Sequence, residues 1–309
     1  MEEKVMHDQA ARKVFLAEQG YEPRTTLWRA DVAAQEYRGI LEASHYAQGK
    51  AYQCTVPSTP LRFELSFAAA VENQLLRGDL LDVYKINRSG GLAWGKARHD
   101  GHVGFVRLAD LSSAVREITH FVSVPFTPVY PFPDTESNPI MNLGLNSRVS
   151  VDLLYENQTV FARIGEGQWV SVKDLKRLGD WFKDPIAAIL PLAGCIPYVW
   201  GHRDGFGYDC SSLIQAGEFS MGNDCYRDTD QQEEDPRLGG KVAFKPDLSD
   251  LQPYDLVHYP HHVVRMVDKT NAIHARGGDV RRVVIEPIAD INRWRLRKYG
   301  LGVSSVKRR

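Results

Sequence analysis

Cysteine thiols are sparse in this sequence. Four cysteines, Cys54, Cys195, Cys210 and Cys225, are spread over 309 residues, and no two have the C-x-x-C spacing of a zinc site. Cys210 follows Asp209 in "YDCSSLIQAGEFSMG", where a helix N-cap candidate leads an apolar run that ends at glycine. The spacing predicts a helix with Cys210 in its first turn. Unpaired N–H groups and the positive end of the helix dipole predict a lowered thiol pKa there. A thiol nucleophile needs a base, and the base needs an orienting group. Downstream lie His258, His261, His262 and His274. In "HHVVRMV", strand alternation sets His262 with Val264 and Met266, opposite His261 and Arg265. A solvent-facing Arg265 then makes His262 the inward base, with His274 of "NAIHA" placed to bond its far nitrogen. A structural pair of histidines on a sheet would give the same pattern.

Several elements are needed to hold such a constellation. Residues 1–50 are charged and helix-leaning, and read as an N-terminal arm that packs on something else. From about Tyr52 short β-like runs follow closely: "LLDVYKI", "GLAWGKARHDG" and "HVGFVRLADL". After the proline-rich "VPFTPVYPFPDTESNP" come "RVSVDLLYENQ", "TVFARIGEG" and "QWVSVKDL". The endings "LADL" and "VKDL" mark a weak internal repeat of small β-barrels, spanning 51–114 and 115–177. In 178–309, "DPIAAILPLAGC" is apolar at helical spacing. The Cys210 helix and four strand-like runs, "DLVHY", "HHVVRMVD", "NAIHA" and "RRVVIEPI", then describe an α+β domain.

Bulk properties narrow the function. Apolar residues make up 43% and charged residues 25%, with a net charge of −1. No basic excess points to nucleic acid or a membrane surface. The polar opening "MEEKVMHDQAARKVFLAEQG" has no apolar leader pattern, and no stretch approaches the ~20 apolar residues of a bilayer span. A cytoplasmic protein with reduced thiols is expected.

Taken together, "PYVWG…DCSSLIQ", "YRDTDQQ", "YDLVHYPHHVVRMV" and "AIHA" resemble the NlpC/P60-type cell-wall cysteine peptidases. The two barrels resemble the bacterial SH3-like domains that precede that catalytic domain in dipeptidyl-peptidase-like members. The resemblance implies two all-β SH3-like barrels followed by an α+β papain-like domain. It also implies hydrolysis of the γ-D-glutamyl–L-diamino acid bond of peptidoglycan stem peptides, here released peptides with a free N-terminal L-Ala. It makes Cys210 the nucleophile, His262 the base and His274 the polar third member, with no metal or organic cofactor. Tyr198 matches a tyrosine near the nucleophile and Trp200 a pocket wall. Asp209 and Ser211 match positions that meet the substrate amine, and Asp228 and Thr229 line the D-glutamyl site. Asp79 and His102 of the first barrel are candidates to close the pocket.

Three positions depart from the family pattern: His202, Ser212 and Val264 stand where glycine is usual, adding bulk beside the site. They motivate a second reading, a wall-binding protein with a vestigial site. A third is an amidase or acyltransferase on the same scaffold.

Overall fold

Alternating apolar runs become strands whose inward side chains build separate cores. The computed structural model describes residues 9–157 and 159–309, in two units divided after Ile118. The first unit opens with helix α1 (Gln9–Glu18) and a three-stranded sheet of β1 (Trp28–Arg29), β2 (Val32–Ala34) and β3 (Tyr46–Ala47). These enclose a small core of Leu16, Trp28, Ala33 and Leu41. The buried Arg12 of α1 donates to the carbonyls of Thr26 and Trp28, at 2.7 and 2.8 Å. The segment read as a helix-leaning arm is therefore largely sheet and turn over residues 28–47. Its alanine and glutamate content favours helix, but Trp28 and Val32 gain more by pairing and burial.

A barrel follows in the same unit: β4 (Lys50–Cys54), β5 (Ser58–Leu61), β6 (Asn73–Leu76), β7 (Leu80–Asn87), β8 (Leu92–Ala97), β9 (Val103–Arg107) and β10 (Leu111–Ser112). Five strands order as β10-β4-β7-β8-β9, and β5-β6 form a hairpin. Leu61, Leu75, Leu81, Ala93 and Val106 fill the interior.

The second unit begins with another barrel. Its strands are β11 (His120–Val122), β12 (Phe126–Val129), β13 (Met141–Gly144), β14 (Arg148–Val149), β15 (Leu153–Asn157), β16 (Thr159–Gly165), β17 (Gln168–Ser171) and β18 (Leu175–Arg177). Val122, Leu143, Ile164 and Val170 are among its core residues. The internal repeat has a physical basis. Thr59 Oγ1 donates to Asp110 of "LADL" at 2.6 Å, and Thr127 Oγ1 to Asp174 of "VKDL" at the same distance. The same bond closes each barrel.

The remainder of this unit is built on a six-stranded antiparallel sheet, ordered β21-β26-β22-β23-β24-β25. Beside it lies the small hairpin of β19 (Arg203–Asp204) and β20 (Gly207–Tyr208). The sheet strands are β21 (Gly240–Val242), β22 (Leu256–Tyr259), β23 (His262–Met266), β24 (Asn271–Arg276), β25 (Arg282–Pro287) and β26 (Ser305–Arg308). Helix α2 (Cys210–Ser220) covers one face, packing Leu213 and Ala216 with Ile273, Ala275 and Val283. Helix α4 (Ile288–Tyr299) covers the other, setting Ile288 and Ile291 against Tyr259, Val264, Met266 and Ala272. A short helix α3 (Thr229–Glu234) precedes β21.

Every residue of α2 is buried. A Cβ at Gly217 would lie 2.3 Å from the Pro185 carbonyl oxygen, so only glycine lets the helix approach that chain. Two sequence expectations change here. "DPIAAILPLAGC" forms turns with one 3₁₀ turn at Leu190–Leu192, because Pro185 and Pro191 supply no N–H for a continuous α-helix. Arg265 does not face solvent. It is buried against Glu218 of α2 at 2.6 Å, and Glu218 also receives Arg309 at 2.7 Å.

Candidate active site

The position of Cys210, the candidate nucleophile, follows from a helix start. Asp209 is the N-cap of α2: its Oδ1 accepts the Ser212 N–H at 2.9 Å, and Ser212 Oγ accepts the Asp209 N–H at 2.9 Å. This reciprocal capping box holds Cys210 as the first helical residue. Cys210 is 6% exposed and its thiol lies against the backbone N–H of Val263, the residue after His262. Burial pushes the thiol up to about 12, with the charge of Asp209 adding and Val263 and Arg227 partly offsetting. The lowered pKa expected from the helix dipole is thus overturned in the free protein. Desolvation of an almost enclosed sulfur outweighs a partial charge.

The base is part of a hydrogen-bonded line. His262 Nε2 and His274 Nδ1 are 2.9 Å apart, and His274 Nε2 lies 2.9 Å from Glu286 Oε2. Arg276 holds the other carboxylate oxygen at 2.6 Å. The hydrogen bond from His274, and then Arg276, keep Glu286 ionised, at about 2. An ionised carboxylate only accepts, so the proton between them sits on His274 Nε2. His274 Nδ1 then accepts from His262 Nε2–H, which leaves His262 Nδ1 a bare lone pair. Burial, reinforced by His274, Arg295 and Arg276, holds His262 well below the ordinary imidazole value. Thiol and imidazole therefore rest neutral, with the imidazole in the tautomer of a general base.

Glu286 was not among the residues read from the sequence. Its signal was present in "VVIEP": β25 pairs with β24 so that His274 opposes Val284, and Glu286 lies two residues along on the same face. Helix α4 supplies further neighbours. Trp294 meets the His262 ring edge-on at 6.0 Å, and Arg276 lies over Trp294 at 4.6 Å. Arg295 is buried among the faces of Tyr259, Trp294 and Tyr299, at 5.7, 5.6 and 4.5 Å, and donates to the Pro260 carbonyl.

The Asp209 carboxylate is bound by its neighbours. Arg227 grips both its oxygens, Gly201 N–H donates to Oδ2 at 2.9 Å, and Ser211 Oγ donates to Oδ1 at 3.2 Å. Arg227 also donates to Ser211 Oγ at 2.8 Å. Burial works to raise the Asp209 pKa, but Arg227 and the backbone donors prevail and hold it low. Asp209 and Ser211 thus share one buried network with Arg227 beside the thiol. Arg227 is the residue missed, although it stands in the quoted "YRDTDQQ".

The other candidates fall into three groups. Tyr198 is half-buried beside the site, its hydroxyl raised by burial and by Cys210 and Asp209. Trp200 is 64% exposed, so it is a free surface ring and no part of the core. Asp228 occupies the N-cap position of α3 without a side-chain cap bond and Thr229 begins the helix, next to Arg227 and partly exposed. Gln232 of α3 donates to the Ser211 carbonyl at 3.0 Å, tying that helix to the nucleophile's turn. Asp79 and His102, in the first unit, are buried. Asp79 accepts the Leu76 N–H at 2.9 Å, and His102 stacks on Phe63 at 5.3 Å. Both contacts lie within their own barrel.

The bulk expected from three departures is also accommodated. Ser212 completes the capping box and donates to the His202 carbonyl at 2.6 Å. Val264 points into the core under α4. His202 is partly exposed in the loop before β19.

Comparison with known proteins agrees with this fold. Residues 61–111 match the family model described as the bacterial dipeptidyl-peptidase SH3 domain. No curated protein matches the chain. A solved NlpC/P60 family protein from Bacillus cereus is similar over 84% of this chain and 99% of its own, at 19% identity and a TM-score of 0.66. An NlpC/P60 endopeptidase from Photobacterium damselae subsp. piscicida is similar over 83% of this chain and 70% of its own, at 15% identity and a TM-score of 0.55. The chain thus has the fold of NlpC/P60 proteins, with a bacterial SH3 domain of the dipeptidyl-peptidase type at residues 61–111.

Proposed function

We propose that this protein is a cysteine peptidase that hydrolyses the γ-D-glutamyl–L-diamino acid bond of peptidoglycan stem peptides. The carrying observation is the His262–His274–Glu286 line, which leaves His262 Nδ1 bare at the start of the strand whose next residue touches the Cys210 thiol. In the first step His262 Nδ1 takes the thiol proton as Cys210 sulfur attacks the γ-carbonyl carbon. N–H groups in the first turn of α2 face the developing oxyanion. Collapse breaks the C–N bond, and the His262 proton leaves on the diamino acid's amine. Water then attacks the thioester, its proton passing to His262 and on to the Cys210 sulfur as the glutamyl acid departs.

Substrate size follows from access. A Cys210 only 6% exposed favours a slender peptide end over a glycan-linked stem, which supports action on already released peptides. The SH3 match and the endopeptidase named among the similar folds support the same class of reaction.

Mass spectrometry of L-Ala-γ-D-Glu-diaminopimelate incubated with the protein tests this reading. Release of free diaminopimelate, lost in Cys210→Ala and absent with intact sacculi, is expected. An N-acetylated copy is also expected to be cleaved, since Asp209 is already neutralised by Arg227. No cleavage of either peptide by the wild type would overturn the proposal.

A further inference from the structure

The first unit holds a cleft of its own. Its volume is about 550 Å³, within the range of small-molecule sites. Trp94 of β8 and Phe105 of β9 form part of its wall, with Arg29 of β1 over both rings at 5.4 and 4.9 Å. Asp31 bridges Arg29 at 2.9 Å and Lys85 of β7 at 2.6 Å. Arg88, from the β7–β8 turn, lines the same cleft. Three cations thus share one carboxylate among the lining residues. Arg29 is buried, and burial lowers its pKa despite Asp31. A low-dielectric wall with surplus positive charge strengthens attraction for an anion.

We propose that this cleft binds a small organic dianion, its acidic groups meeting the exposed Lys85 and Arg88 beside the Arg29–Asp31 pair while its apolar body lies on the half-buried Leu65 and Ile86. Carboxylates of a peptide fragment and phosphates present the same chemistry to these side chains. Every lining residue belongs to the first unit.

Isothermal titration calorimetry on the full chain tests it with three probes: L-Ala-γ-D-Glu, pyrophosphate, and the uncharged diamide of the dipeptide. One saturable site for a dianion is expected, weakened about tenfold or more in Lys85→Glu/Arg88→Glu and by added salt. Both substituted residues are exposed, so the variant keeps its core. Binding of the dipeptide alone assigns the site to carboxylates, and binding of pyrophosphate alone assigns it to phosphates. Saturation by neither dianion, equal binding of the diamide, or affinity unchanged in the double variant would each overturn the proposal. The last outcome also separates this cleft from any dipeptide held near Cys210.

Discussion

Glu286 decides which nitrogen of each histidine carries a proton, so its removal reads directly on catalysis. Glu286→Gln presents an amide that can donate, and the His274 tautomer is no longer fixed. We expect kcat to fall by roughly tenfold to a hundredfold, part of the 10²–10⁴ that an acid–base step supplies, with KM little changed. Steady-state kinetics on the tripeptide provides the measurement. The thiol gives a second expectation. Its raised pKa, about 12, means that Cys210 should alkylate more slowly than free cysteine at pH 7.5, and its rate should still be climbing at pH 10. A plateau near pH 8 in iodoacetamide kinetics would contradict this. Arg227 gives a third. Arg227→Met strands a buried carboxylate and should cost about 3–5 kcal/mol, most of it recovered by adding Asp209→Asn. Urea denaturation of the two single variants and the double measures that cycle. Cys210, His262 and His274 were legible from type and order alone. Arg227 and Glu286 were not, because their partners are distant in the chain and only strand pairing and helix docking bring them together.

At the scale of elements, α2 shows why a family glycine can be a serine. Ser212 closes the capping box, so Ser212→Gly removes a bond to the Asp209 N–H and one to the His202 carbonyl. A loss of about 1 kcal/mol is expected, with no gain in turnover. A rise in kcat for that variant would restore steric crowding as the explanation. The helix itself was readable from its cap and terminal glycine, and the strands of the sheet from their β-branched runs. The turn region at 185–195 was not, since apolar spacing there imitates a helix that two prolines forbid. Residues 28–47 misled for the opposite reason: their propensity favours helix, and only packing on Leu16 and Trp28 makes them sheet.

For the molecule as a whole, buried neutral histidines tie stability to pH. Burial lowers His258 from 6.5 to about 4, with Glu233 partly opposing. Between those values the unfolded chain binds the proton and the folded chain does not, so stability falls as pH drops from 6.5 towards 4. His258 alone accounts for about 3 kcal/mol, and His262 and His274 act in the same direction. The urea midpoint should therefore fall on acidification, and less steeply in His258→Gln. Equal slopes would remove His258 from the account. The barrel repeat was visible in sequence because each copy retains the aspartate that its threonine needs. Strand order was not visible: β26 follows every other strand in the chain yet lies inside the sheet, between β21 and β22. During translation the nucleophile's helix therefore leaves the ribosome well before the strand that completes the floor beneath it. A nascent chain carries Cys210 above an unfinished sheet until Ser305–Arg308 have been made and paired with β21 and β22.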